Sequence, residues 1–151
     1  MTEVAGLPFG VMGEMLQDGG HPYRGLLYGM TARKYGDVDP RPVWAMMNDY
    51  GIAQSQMLGY WLDDAPVQSG RDDVLATTYA RDGRVLIALG SWSDVDEVVN
   101  LTLDLQALGL PQGVTARAPE VVGLQAAGDV DLSAVRVPAD QGFFLARYIL
   151  H

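Results

Sequence analysis

The chemistry this chain can offer starts with its acids. Glu14 stands inside GVMGEMLQDGG, an apolar run interrupted by glycine, and Asp18 follows four residues later. A carboxyl facing a cavity at a strand end has its charged form disfavoured, so its pKa rises toward that of a general acid. Glu14 with Asp18 would then resemble half of an acid/base pair. The plainer reading is a solvated acid, or one satisfied by Arg24 or Arg33. Other routes to chemistry are closed. The chain has no cysteine, no G-x-S-x-G elbow, no P-loop, and no G-x-G-x-x-G opening a helix. Its two histidines, His21 and His151, are far apart and make no conventional zinc site. Asp94, Asp96 and Glu97 lie close together, but not at EF-hand spacing. No metal and no cofactor is implied.

Aromatic residues are the second candidate set. Tyr60 and Trp61 end an apolar run, where flat rings either line a sugar site or seal a joint between two units. Tyr28, Arg33 and Trp61 are the candidate substrate-binding residues. Trp92 follows Gly90 at the end of VLATTYARDGRVLIALGSWSD and is expected to close one end of a core, with sugar stacking as the alternative.

Two stretches of different grammar must position these residues. LPFGVMGEML (7–16) and YRGLLYGMTAR (23–33) read as short buried strands broken by glycine. In DVDPRPVWAMMNDYG, Asp39 suits a helix N-cap, Pro40 and Pro42 the first turn, and Gly51 the stop. Val43, Trp44, Met47 and Tyr50 share its apolar face. IAQSQMLGYW (52–61) reads as a further strand, completing an α/β pattern. DDAPVQSGRDD (63–73), with four Asp, reads as a linker or exposed loop.

Everything later is strand grammar. Asp82-Gly83 is a strong hairpin signal. Val98 to Leu105 alternates, with Val99, Leu101, Leu103 and Leu105 on one face. Shorter strands are expected at 115–118, 120–124, 134–137 and 143–148. Short strands at roughly 8–12-residue spacing predict an antiparallel β-sandwich. The fold expected is thus mainly β: residues 1–62 an α/β piece, 63–73 a linker, and 74–151 the sandwich.

Composition narrows the partners. Net charge is −9 and no Lys/Arg cluster exists, which argues against nucleic acid. No run reaches the roughly 18 apolar residues of a membrane helix, and the first twenty residues lack the basic start of a secretion signal.

Taken in order, GVMGEMLQDGGHPYRGLLYGMT, DPRPVWAMMNDYGIAQSQMLGYW, VLATTYARDGRVLIALGSWSD and VPADQGFFLARYIL resemble the C-terminal part of proteins related to glycoside hydrolase family 123. The resemblance implies the last strand-helix units of a (β/α)8 barrel, then a C-terminal β-sandwich. It also implies a carbohydrate partner for the intact parent, and a missing N-terminal part of the barrel that carries the main catalytic acids. The resemblance further implies likeness to enzymes that use an adjacent Asp-Glu pair assisted by the substrate's acetamido group. The first half has no such pair, so Glu14 and Asp18 carry over only as rim residues. The expected role is a glycoside-hydrolase-like fragment, inactive alone, whose sandwich supports the barrel. A free-standing carbohydrate-binding module and a structural or oligomerisation domain are the alternatives.

Overall fold

A computed structural model describes residues 22–29 and 39–147. One hairpin dominates. β3 (Val74–Arg81) and β4 (Arg84–Ser91) pair along their whole length, from Val74 opposite Ser91 to Arg81 opposite Arg84. The two-residue turn between them is Asp82-Gly83, as the sequence predicts. Both have positive φ, 43° and 70°, the backbone that a tight hairpin demands and that glycine adopts without steric cost.

This hairpin is the centre of a six-stranded antiparallel sheet. Its order is β1 (Gln56–Leu58), β3, β4, β10 (Gly142–Arg147), β7 (Ala116–Ala118) and β8 (Gly128–Val130). β7 meets β10 at a single pair, Ala146 with Arg117. Farther along, the Gln125 side chain substitutes for a strand: its amide donates to the Phe144 carbonyl and accepts from the Phe144 N–H, both within 2.8 Å. That satisfies backbone groups that would otherwise be buried without partners.

Both faces of the sheet are covered, which explains why β3 and β4 read as nearly continuous apolar runs. On one face Val74, Ala76, Val85, Ile87 and Leu89 pack against Val67, Val99, Leu101, Val135 and Val137. Apart from Leu101, which lies between β5 and β6, the latter come from two ribbons, β2 (Val67–Gln68) with β6 (Thr102–Leu103) and β5 (Glu97–Val99) with β9 (Val135–Val137). This is the β-sandwich. The expected single strand from Val98 to Leu105 is divided between β5 and β6, although Val99, Leu101, Leu103 and Leu105 do share the core face. At 120–124 an isolated bridge between Val121 and Gln125 stands in place of a strand.

The opposite face carries Tyr79, Leu86, Ala88 and Phe144. It is covered by helix α1 (Arg41–Tyr50) and by a 3-10 segment, Pro22–Tyr28. In α1, Asp39 accepts the backbone N–H of Arg41 at 3.0 Å. Gly51 ends the helix at φ 76°, donating to the Met47 and Asn48 carbonyls. The buried face is Val43, Met46, Met47 and Tyr50; Trp44 is half-buried at its margin. The Tyr50 hydroxyl donates its proton to the Tyr79 carbonyl at 2.6 Å, with the Arg84 carbonyl 3.2 Å away, tying the helix end to the hairpin.

Three expectations differ from this arrangement. Residues 23–33 were expected to include a strand, but Pro22–Tyr28 is a 3-10 turn. Arg24 through Leu27 are all buried, and a short, wholly buried run has no periodicity to separate strand from helix. The expected strand 52–61 is a 3-10 turn, Ile52–Gln54, followed by β1, an edge strand antiparallel to β3. Residues 63–73 include β2, whose Val67 is in the sandwich core.

Candidate functional site: the clasp under the 3-10 segment

The 3-10 segment is held to the sheet by side chains of the hairpin. Strand alternation places Thr77 and Tyr79 on the face opposite Ala76 and Thr78. The Thr77 hydroxyl donates to the Leu27 carbonyl at 2.8 Å, and the Tyr79 hydroxyl donates to the Leu26 carbonyl. A 3-10 turn leaves its last carbonyls without internal partners, and these two hydroxyls supply them. Burial pushes the Tyr79 phenol well above its ordinary pKa, and a hydrogen bond from the Gly29 backbone pulls weakly the other way. The hydroxyl is therefore a fixed neutral donor across the working pH range.

Leu26 and Leu27 are both buried. Leu27 reaches the sheet because residue 90 is glycine: a Cβ there would stand 2.2 Å from Leu27 Cδ1. At the other end Arg24, 3 % exposed, donates to the Ser91 carbonyl at 3.1 Å and to Asp140 at 3.2 Å. Its guanidinium lies 4.7 Å from the centre of the Trp92 ring, a cation-π contact.

Contrary to the expectation, Trp92 does not close the core: it is 44 % exposed. Its N–H bonds the Asp73 carbonyl, continuing the strand direction past the end of β4. Its ring lies outside the apolar clusters and forms a wall for Arg24.

The candidate residues divide clearly. Glu14, Asp18 and Arg33 lie outside the described residues. Tyr28 and Trp61 are brought together through Tyr60. Tyr28 meets Tyr60 edge-on at 6.0 Å and 81°, and Tyr60 meets Trp61 edge-on at 5.1 Å and 83°. Tyr28 and Tyr60 are half-buried and Trp61 is 42 % exposed. The acids near residue 95 have protein partners. Asp96 accepts the Ala139 N–H and the Arg136 guanidinium, and Glu97 accepts from Arg71 and Ser93. No cluster of three or more metal-ligating side chains exists among the described residues. Sequence reasoning missed Arg24 and Gly90 as anchors. Strand alternation puts Thr77 and Tyr79 on one face, but nothing local announces what that face receives.

The fold is thus a β-sandwich in which the outer face of the six-stranded sheet is covered by a segment from earlier in the chain and by α1. Comparison with known families identifies both parts. The family model of the glycoside hydrolase 123 C-terminal domain matches residues 39–147, and that of the glycoside hydrolase 123 TIM-barrel domain matches residues 1–35. The chain belongs to the glycoside hydrolase 123 family. No match is found among curated proteins.

Proposed function

We propose that this chain is the C-terminal portion of a carbohydrate-active protein, in which the sandwich braces the last element of the barrel domain. The observation that carries the reading is the clasp. The 3-10 segment lies within the stretch matched to the barrel domain. Its Leu26 and Leu27 carbonyls, its Leu27 side chain and its Arg24 are all received by β3, β4 and the loop bearing Asp140. A barrel needs every strand and helix held in place to close, and a rigid sheet against its last segment limits how far that segment moves. The boundary between the two units then falls at about residues 36–38 instead of at the acidic stretch 63–73. In support, α1 and β1 pack on or pair with the same sheet as the later strands.

In this reading Glu14 and Asp18 are rim acids and the principal acids belong to earlier barrel strands. The substrate of the parent is a glycoside, with Tyr28 and Arg33 as candidate residues for binding it. The chain by itself performs no hydrolysis.

Gly90→Val tests the bracing directly. The added side chain occupies the position of Leu27 while the hairpin remains apolar and paired. Amide exchange should accelerate at residues 24–28 and remain slow in β3 and β4. In a parent protein carrying the barrel, glycosidase activity should fall with it. Unchanged exchange at residues 24–28 would refute the bracing role.

A further inference from the structure

We infer that the outward face of Trp61 is a stacking platform for a neutral oligosaccharide, a binding surface separate from the clasp. Trp61 stands in consecutive turns, with the Leu62 N–H on the Gly59 carbonyl and the Ala65 N–H on the Leu62 carbonyl. Its indole folds back over Gly59. A Cβ built on Gly59 would lie 2.5, 2.5 and 2.6 Å from Cε2, Cζ2 and Cη2. Three ring atoms at nearly equal distance mean that the six-membered ring lies face-down on this glycine. A residue with any side chain at 59 would lift the ring away.

With one face seated on backbone, the 42 % exposure of Trp61 leaves the other side to solvent. The ring is also fixed in orientation. Tyr60 braces it edge-on, and Tyr28 braces Tyr60. Edge-to-face pairs contribute about 0.5–1.5 kcal/mol beyond the area they bury. A large flat apolar surface, held rigid and wet, loses little entropy when a ligand settles on it.

The chemistry around the ring selects the ligand. Asp63 and Asp64 follow directly and are exposed. They accept hydrogen bonds and donate none, so they suit hydroxyl groups at the rim of a ring stacked by its C–H face. They repel carboxylated or sulfated ligands, as does the net charge of −9. A pyranose has an apolar C–H face bordered by hydroxyl donors, and a neutral oligosaccharide meets both conditions. Leu62, 37 % exposed, extends the apolar surface for a second sugar unit. Trp92 differs in its setting: a charged guanidinium, that of Arg24, lies 4.7 Å from its ring centre.

The platform is the Trp61 ring seated on Gly59, with Tyr28 of the clasped segment only an outer brace through Tyr60, so sugar binding and segment exchange are read separately and can fail separately. The test uses the full 151-residue chain with cellohexaose, chitohexaose and xylohexaose, and with oligogalacturonate as the anionic control. Isothermal calorimetry should detect binding of at least one neutral hexasaccharide and none of oligogalacturonate. In 15N spectra, the Trp61 indole N–H should shift on titration while those of Trp44 and Trp92 stay in place. Trp61→Ala should weaken binding at least tenfold with its melting temperature retained, Trp61→Tyr by only a few-fold, and Trp92→Ala not at all. If Trp61→Ala fails to fold, the indole shifts of the unmodified chain and Trp61→Tyr decide. The inference is overturned if none of the three neutral sugars binds, if binding persists in Trp61→Ala, if the Trp61 indole N–H stays in place, if oligogalacturonate binds equally, or if Trp61 proves to be covered by a second copy in a dimer that Trp61→Ala dissolves.

Discussion

Tyr79→Phe is the most direct measure of how strongly the sandwich holds the 3-10 segment. The substitution keeps the buried ring and removes only the hydroxyl, which donates to the Leu26 carbonyl and accepts from the Gly29 backbone. Leu26 is 1 % exposed, so its carbonyl is left without water. A buried polar group deprived of its partner costs about 1–3 kcal/mol. Gly29 is half-buried, so its share lies at the low end, and the sum is about 2–4 kcal/mol. The opposing quantity is the free energy that keeps the segment docked. Burial of the Leu26 and Leu27 side chains contributes roughly 1.5–3 kcal/mol each, before the entropy of ordering the turn is subtracted. Loss and docking energy are of the same size, so the segment should open locally while the sandwich stays folded. Hydrogen exchange reads this opening residue by residue. At about 1.4 kcal/mol per factor of ten, amide protection at residues 24–28 should fall by roughly 30- to 1,000-fold. Amides in the centre of β3 and β4 should change by less than about threefold. Uniform loss of protection across the sheet would show that the hydroxyl stabilises the whole core and not the docking. Unchanged protection at residues 24–28 would show that it stabilises neither.

Gly83→Ala should destabilise the hairpin by about 1–2 kcal/mol, because an L-residue at φ 70° places its Cβ against the following carbonyl; denaturant titration reads the change, and a neutral or stabilising result excludes the turn geometry described here. The Asp96 carboxyl is held below its ordinary pKa, chiefly by the Ala139 N–H and then by the Arg136 guanidinium. A group whose folded pKa is depressed stabilises above the unfolded value, 3.8, and loses that contribution as pH falls through the folded value. The carboxyl 13C resonance of Asp96 should therefore titrate with a midpoint under 3.8, and Asp96→Asn should flatten the acid side of the stability profile; a midpoint at or above 3.8 contradicts the hydrogen bonds assigned to it.

How far each feature was legible in the sequence follows from the range of the interaction that sets it. The Asp82-Gly83 turn, the Gly51 helix stop and the inward face Val99, Leu101, Leu103 and Leu105 are local matters of φ preference and side-chain period, and all were readable. The division of residues 97–103 into two strands was not. It depends on Leu101 donating to the Leu132 carbonyl while β5 pairs with β9 and β6 with β2. Strand 52–61 was over-read for the same reason: its length is set by where β3 offers free backbone.

The candidate site separates along the same line. Tyr28, Tyr60 and Trp61 were visible as residue types, but their edge-on stack joins positions more than thirty residues apart. By sequence Trp92 reads as a core plug, because it is large and follows an apolar strand. Its ring instead meets Arg24, which reaches from residue 24 to the Ser91 carbonyl. Residue order alone determined the β grammar, the hairpin register and the acidic, cysteine-free character of the chain, because those depend on neighbours within a few bonds. Tertiary structure alone decided that Thr77, Tyr79 and Gly90 form a receptor for an earlier segment, because one face of a strand acquires its partner only when distant chain folds onto it.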